Sequence, residues 1–367
     1  MKESTKNIVV TILFCIVFIG LFFVNIFAED RDISVSERRR LTQFPELSFR
    51  SILDSSFMDS FEDYVVDQFI FRDGFRRIKT FMAFDVFRHL DNNDLFFIDD
   101  YIFSILYPLS ESGVHQAAGS INNMIDRYFE NNPNVFFSII PDKNYFLDPS
   151  LGRLRLDYDR LTEIMIEEVS RGRYIDIFDQ LTLSSFYRTD IHWRQEKLPG
   201  VVNTLSRNMN MGIFHNNHDF EKRTINGFRG SYFGQLGINI EPDDLVFLNN
   251  RIINSAIVRF NNDWIGPVYD PRGVNSIDMY DIFLSGAKAL ITIDNPYANN
   301  DRELILFRDS FGSSLAPLLI PAYSRITVID LRYISSNFVS QLVDFNDNQD
   351  VLFLYSVNII NNGNLLR

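Results

Sequence analysis

At 367 residues, the chain has room for one large domain or two modest ones. Hydrophobic residues at 46% and charged residues at 23% form a globular balance that excludes wholesale disorder. A net charge of −13 argues against non-specific nucleic-acid binding, and the lone cysteine, Cys15, excludes an internal disulfide framework and a cysteine-based zinc site.

Residues 8–27 carry no charge, and twenty helical residues span about 30 Å, the thickness of a bilayer's hydrocarbon core. Lys2 and Lys6 precede this run, and Glu29 and Asp30 follow it. The positive-inside rule then predicts a cytoplasmic amino terminus, a single-pass anchor in the cytoplasmic membrane and an extracytoplasmic remainder. A cleaved signal peptide is the competing reading. The run exceeds the usual apolar core of such peptides, and Ile26-Phe27-Ala28 lacks a small-x-small cleavage pattern, which favours a retained anchor. Cys15 lies mid-span after a bulky Phe14, so it reads as apolar filler.

The expected organisation is an anchor over residues 1–28, a linker with amphipathic helices packing on the core over 29–94, and one α/β domain over 95–367. In the linker, the basic run Glu37-Arg38-Arg39-Arg40 reads as a solvated or headgroup-facing stretch. Apolar residues from Phe57 to Met82 recur at helical spacing and predict two helices broken near Phe71–Gly74. Beyond residue 95, short apolar runs alternate with helical patterns. Strands are expected at 95–98, 101–106, 135–141, 174–178, 289–293, 304–307, 326–329 and 351–355. Helices are expected near 112–131, 159–171, 195–210 and 312–320, with an irregular middle stretch before residue 289. Buried apolar strands separated by helices indicate a mostly parallel sheet covered on both faces.

Two strand–helix junctions carry reactive residues. In Arg308-Asp309-Ser310-Phe311-Gly312, a buried strand ends and a helix opens at Ser310. A serine there has the positive helix end behind it, which suits a nucleophile whose own N–H helps hold an oxyanion. The competing role is an ordinary helix cap. In Asp190-Ile191-His192-Trp193, an extended backbone places Asp190 and His192 on one side. A carboxylate accepting from the Nδ1–H would orient the ring and leave Nε2 as a base. Together the segments supply nucleophile, base and orienting carboxylate. His215 and His218 have a metal-like spacing but no third ligand, and no metal or other cofactor is expected.

Several ordered blocks resemble the Asp-His-His-Trp (DHHW) family of exported bacterial proteins, relatives of the SGNH-type domains of alginate O-acetyltransferases. They include Asp67-Gln68-Phe69, Phe71-Arg72-Asp73, Ile140-Pro141-Asp142-Lys143 and Asp190-Ile191-His192-Trp193. They continue through Gly230-Ser231-Tyr232-Phe233, Arg308–Gly312 and Ile329-Asp330-Leu331-Arg332-Tyr333. The resemblance implies an SGNH-like α/β/α sandwich whose catalytic blocks run in reversed order, with Ser310 as nucleophile, His192 as base and Asp190 as its partner. Ile191 stands where the family motif has its first histidine, and Arg308 stands where the usual SGNH block has glycine.

Further candidates are Asn295 as a side-chain oxyanion donor, and Lys143 and Arg332, each following a strand, as holders of an anionic substrate or the developing charge. Trp193 reads as packing beneath the triad or stacking on a sugar, and Tyr232 as part of the same carbohydrate surface. The expected activity is acyl, foremost acetyl, transfer to or from a cell-envelope or secreted glycan, with a multi-pass membrane acyltransferase as donor partner. A non-catalytic glycan-binding protein on the same fold is the alternative.

Overall fold

The computed structural model describes residues 3–34, 37, 39–238, 240–261 and 264–366, so Lys2 and Arg38 lie outside the described residues. The chain forms two compact units, Met1–Asn93 with Phe233–Asn239, and Asp94–Tyr232 with Ile240–Arg367.

In the first unit, α1 (Glu3–Phe27) contains one stretch, Thr5–Phe27, long and apolar enough to cross a membrane. Helices α2 (Ser56–Gln68) and α3 (Arg72–Phe81) are separated at Phe69–Phe71, where Phe69 takes an extended ψ of 123°. Within the basic run, Arg39 is engaged rather than simply solvated. Arg39 meets the buried Asp67 carboxylate with two nitrogens at 2.7 and 2.5 Å, and the Thr42 N–H donates to the same group at 2.9 Å. These donors hold the Asp67 carboxyl well below the usual carboxylate range.

The second unit opens with a hairpin, β1 (Leu95–Ile98) and β2 (Tyr101–Ser104), joined through Asp99 and Asp100 at positive φ. A two-residue turn cannot make the crossover a parallel pair needs, so these runs stand apart from the main sheet. Then follow α4 (Glu111–Tyr128), β3 (Val135–Ile140), α5 (Tyr158–Glu168), a two-residue β4 (Arg173–Tyr174) and α6 (Pro199–Met209). Ser110 caps α4 by accepting from the Gly113 N–H, and Asp157 caps α5 through the Arg160 N–H.

The middle stretch is more regular than its polarity suggests. It holds the hairpin β5 (Glu221–Phe228) and β6 (Asp243–Asn249), then β7 (Ile257–Phe260) and β8 (Trp264–Gly266). Strand β5 is mostly exposed, which removed the apolar signal a strand reading relies on. The chain closes with β9 (Leu290–Asp294), β10 (Glu303–Arg308), α7 (Gly312–Leu319), β11 (Arg325–Ile329) and β12 (Asp350–Ser356).

The central sheet has eight strands in the order β8-β7-β9-β11-β10-β12-β3-β4. From β11 to β4 all neighbours are parallel; β9, β7 and β8 add antiparallel pairs at the other edge. Every residue of β3 and β12 is buried, as expected for strands covered on both faces. Helix α4 packs on α5, α6 packs on α7, and helices cover both sides of the sheet. The connection after β10 leads to β11 and that after β3 leads to β4, in opposite directions. Ser310 and Lys143 both follow the carboxyl ends of these strands, the end at which such a divergence places the ligand site of open α/β sheets.

Candidate active site

Asp190 and His192 belong to a tight loop closed by a bridge between Phe186 and Trp193. The Asp190 carboxylate is fully buried. Its Oδ1 accepts from the His192 backbone N–H at 3.0 Å and meets His192 Nδ1 at 2.5 Å, while Oδ2 accepts from the Ser231 N–H at 2.7 Å. An ionised carboxylate can only accept, so Nδ1 carries the proton and Nε2 presents its lone pair. The Ser310 hydroxyl lies 2.7 Å from that Nε2. The structure thus brings Asp190, His192 and Ser310 into one hydrogen-bond chain, with His192 and Ser310 118 residues apart in sequence.

Buried polar contacts fix the loop. The Thr189 N–H and hydroxyl both donate to Asp243 Oδ2, at 2.9 and 2.7 Å, and Arg194 donates to Asp243 Oδ1 at 2.5 Å. Gly230 lies so close that a Cβ there would stand 2.1 Å from the Thr189 carbonyl oxygen and 2.4 Å from the Asp190 Cβ. Lys143 is buried, and its ammonium donates to the carbonyls of Ile102, Tyr187 and Arg188. Burial pushes this lysine down to about 7, against the opposing pull of Asp190, Asp243 and Asp142.

The His192 ring packs against two aromatic rings. Tyr280 stacks on it with centroids 3.9 Å apart and planes 8° from parallel, and Phe311 tilts against it at 4.9 Å. The Tyr280 hydroxyl donates to Ser314 Oγ at 2.8 Å, and the Trp193 indole N–H reaches the same oxygen at 2.9 Å.

On the serine side, Asp309 pins the turn: Oδ1 accepts from the Phe311 N–H at 3.0 Å and Oδ2 from the Ser356 N–H at 2.9 Å. Gly312 permits close packing, since a Cβ there would stand 2.6 Å from the Arg308 Cβ. Phe311, with no side-chain cap bond, is the N-cap of α7, so the Ser310 hydroxyl does not serve as the cap.

The remaining candidates divide. Trp193 is fully buried, with its N–H spent on Phe311 and Ser314, so it packs beneath the site. Tyr232 is also buried, its ring 5.0 Å from the Lys143 ammonium, and presents no open carbohydrate surface. Lys143 supports the Asp190 loop from behind and faces no solvent. Asn295 is not brought to Ser310. It follows β9, which runs antiparallel to β11, and therefore sits at the opposite end of the strands, where its amide donates to the carbonyls of Ile320 and Tyr323. Arg332 follows β11 at the same strand end as Ser310 but grips Asp330 at 2.9 and 2.6 Å. Arg308 is fully buried, with Nη1 3.2 Å from the same Asp330; its Nε and Nη2 have no partner, and burial lowers its pKa.

His215 donates from Nε2 to the Leu318 carbonyl at 2.7 Å and is buried against Phe220. Among the described residues no group of three or more His, Cys, Asp or Glu could hold a metal ion. Sequence reading missed Tyr280, Asp243 and the role of Gly230. Gly230 lay within a recognised block, whereas nothing local marked Tyr280.

No family model and no curated relative matches the chain. Solved structures do. A DHHW family protein from Eubacterium siraeum superposes with a TM-score of 0.62 at 17% identity, over 75% of this chain and 94% of that one. PatB1 of Bacillus cereus superposes with a TM-score of 0.59 at 17% identity, over 75% of this chain and 99% of its own. The chain therefore has the SGNH-like α/β/α fold shared by that DHHW family protein and by PatB1.

Proposed function

We propose that the chain is an extracytoplasmic O-acyltransferase or esterase that handles acetyl groups on a cell-envelope or secreted glycan. The observation that carries this reading is the unbroken chain from Asp190 through His192 to Ser310, at 2.5 and 2.7 Å, at the carboxyl ends of a parallel sheet. Ser310 Oγ attacks the acyl carbonyl while His192 Nε2 takes the hydroxyl proton, and Asp190 holds the resulting imidazolium. The Ser310 N–H, at the turn into α7, is the proposed oxyanion donor. The tetrahedral intermediate collapses, the alcohol leaves with the proton from Nε2, and an acetyl-Ser310 ester remains. A sugar hydroxyl or water, deprotonated by Nε2, then takes the acetyl group and regenerates the serine.

PatB1 of B. cereus has been solved with a sulfonyl adduct. Sulfonyl reagents report activated nucleophiles, and Ser310 is the proposed one here. The anchor reading of α1 places the second unit outside the cytoplasm, where acetyl-CoA is absent. A multi-pass membrane acyltransferase is accordingly the proposed source of acetyl groups for transfer.

The test is hydrolysis of an acetylated sugar by the detergent-solubilised chain. Wild type is expected to turn over and Ser310→Ala to fall to background. Equal rates, or no Ser310-dependent rate with any acetyl ester, would instead support a glycan-binding role.

A further inference from the structure

We propose that α3 lies in the interface of the lipid bilayer, docking the first unit onto membrane beside the point where the chain leaves it. This rests on the reading of α1 as an anchor.

Helix α3 is inside-out. Phe71, Phe75 and Ile78 recur at i, i+4 and i+7 and form one stripe, yet they are 53%, 54% and 57% exposed. The other face carries Arg72, Arg76 and Thr80, and this polar face is the one turned into the protein. The Arg72 and Arg76 side chains are 11% and 22% exposed, and Thr80 is 3% exposed. Arg76 donates to the Gly234 and Gln235 carbonyls at 2.8 and 3.1 Å, and the Thr80 hydroxyl donates to the Leu236 carbonyl at 2.5 Å. A soluble amphipathic helix has the reverse arrangement, because its apolar stripe is what it hides from water. Beyond the helix, Phe87 and Leu90 add apolar surface at 63% and 70% exposure.

Continuity with the membrane span identifies the occupant. The Ile70 N–H, just before α3, donates to Asn25 Oδ1 at 3.0 Å, and Asn25 Nδ2 donates to the Leu21 carbonyl. Asn25 belongs to the last turn of α1, whose Thr5–Phe27 stretch is about 35 Å long at 1.5 Å per residue and so matches the hydrocarbon core. The Tyr64 hydroxyl reaches Asp30 at 2.9 Å, and the Arg31 N–H donates to Gln68 at 2.9 Å. The start of α3 is thereby tied to the depth where hydrocarbon gives way to headgroups. Its sequence carries four basic residues against one acidic, with Arg77 and Lys79 exposed on the flanks of the stripe. An apolar stripe edged by long cationic side chains is the pattern of a helix lying in an anionic lipid interface.

The test uses the full chain in a Cys15→Ser background, reconstituted in phosphatidylcholine–phosphatidylglycerol vesicles containing a doxyl-labelled lipid. An environment-sensitive fluorophore is attached at Ile78→Cys, at Phe71→Cys as a second position, and at Phe22→Cys within the span. The α3 labels are expected to emit at shorter wavelength and lose about half their intensity to the lipid quencher, as for a group some 5–10 Å into the interface. A quenched Phe22 label with α3 labels that remain water-exposed would overturn the docking and leave the anchor standing. So would α3 labels shielded from water but unquenched, which would mean that a second copy covers the stripe. No quenching at Phe22 would overturn the anchor, and the docking with it.

Discussion

The Tyr280 ring lies flat against the His192 ring, 3.9 Å between centroids, while its hydroxyl reaches Ser314, which Trp193 also holds. A base that must meet Ser310 on one nitrogen and Asp190 on the other has little tolerance for ring rotation, and the stack supplies that restraint. Tyr280→Phe keeps the stack and leaves Ser314 bonded to Trp193, so kcat is expected to stay within about threefold of wild type. Tyr280→Leu removes the flat face and is expected to lower kcat about 10–100-fold with KM nearly unchanged. Steady-state hydrolysis of a small acetyl ester by both variants checks this; equal losses would assign Tyr280 to general packing.

Asp190→Asn tests the orienting carboxylate. The amide can donate as well as accept, so it permits the tautomer with the proton on Nε2, where no lone pair faces Ser310. The expected loss in kcat is about 10³–10⁴-fold. Ile191→His, which restores the family's usual motif, is expected to change the rate little, because Ile191 packs against the hydrophobic core while the ring contacts belong to position 192. A large gain from Ile191→His would move the base to the wrong residue for this account.

Lys143 gives the second unit a pH signature. Its folded pKa of about 7 lies below its ordinary 10.5, so between these values the unfolded chain holds the proton that the folded chain has released. Stability is therefore expected to rise with pH through that window, by up to about 1.4 kcal/mol per unit, and to show the full burial penalty below it. Lys143→Met should flatten this dependence. Urea unfolding of the solubilised chain at several pH values, wild type against variant, measures it; parallel curves would contradict the assignment.

Gly230→Ala is expected to destabilise by about 1–3 kcal/mol and to lower activity as well, because the added methyl overlaps the Thr189 carbonyl and the Asp190 Cβ. Thermal unfolding and ester hydrolysis together check it. An active, stable Gly230→Ala chain would show that the 189–190 loop moves freely.

The sequence disclosed what local pattern encodes. Buried parallel strands such as Val351–Tyr355 are continuous apolar runs, and the Ser310 junction is a strand-to-helix switch readable from residue types alone. Asn295 failed for a topological reason: it follows a strand whose direction the sequence does not state, and an antiparallel β9 carries it to the far end of the strands. Strand β5 was hidden because its side chains face solvent. Tyr280 was invisible because its partner is 88 residues away, in a short 3-10 turn with no periodicity. Exposure likewise decided α3: its spacing announced an amphipathic helix but not which face would be turned outward.

The most direct measurement is the site of covalent labelling by a small sulfonyl fluoride, mapped by peptide mass spectrometry on the full chain. The account predicts one stoichiometric adduct on Ser310, absent in Ser310→Ala and strongly slowed in His192→Ala, because only a serine with its proton taken up by Nε2 reacts readily. An unlabelled Ser310 in a folded chain, or labelling indifferent to His192, would contradict the nucleophile–base pair on which the proposed chemistry stands.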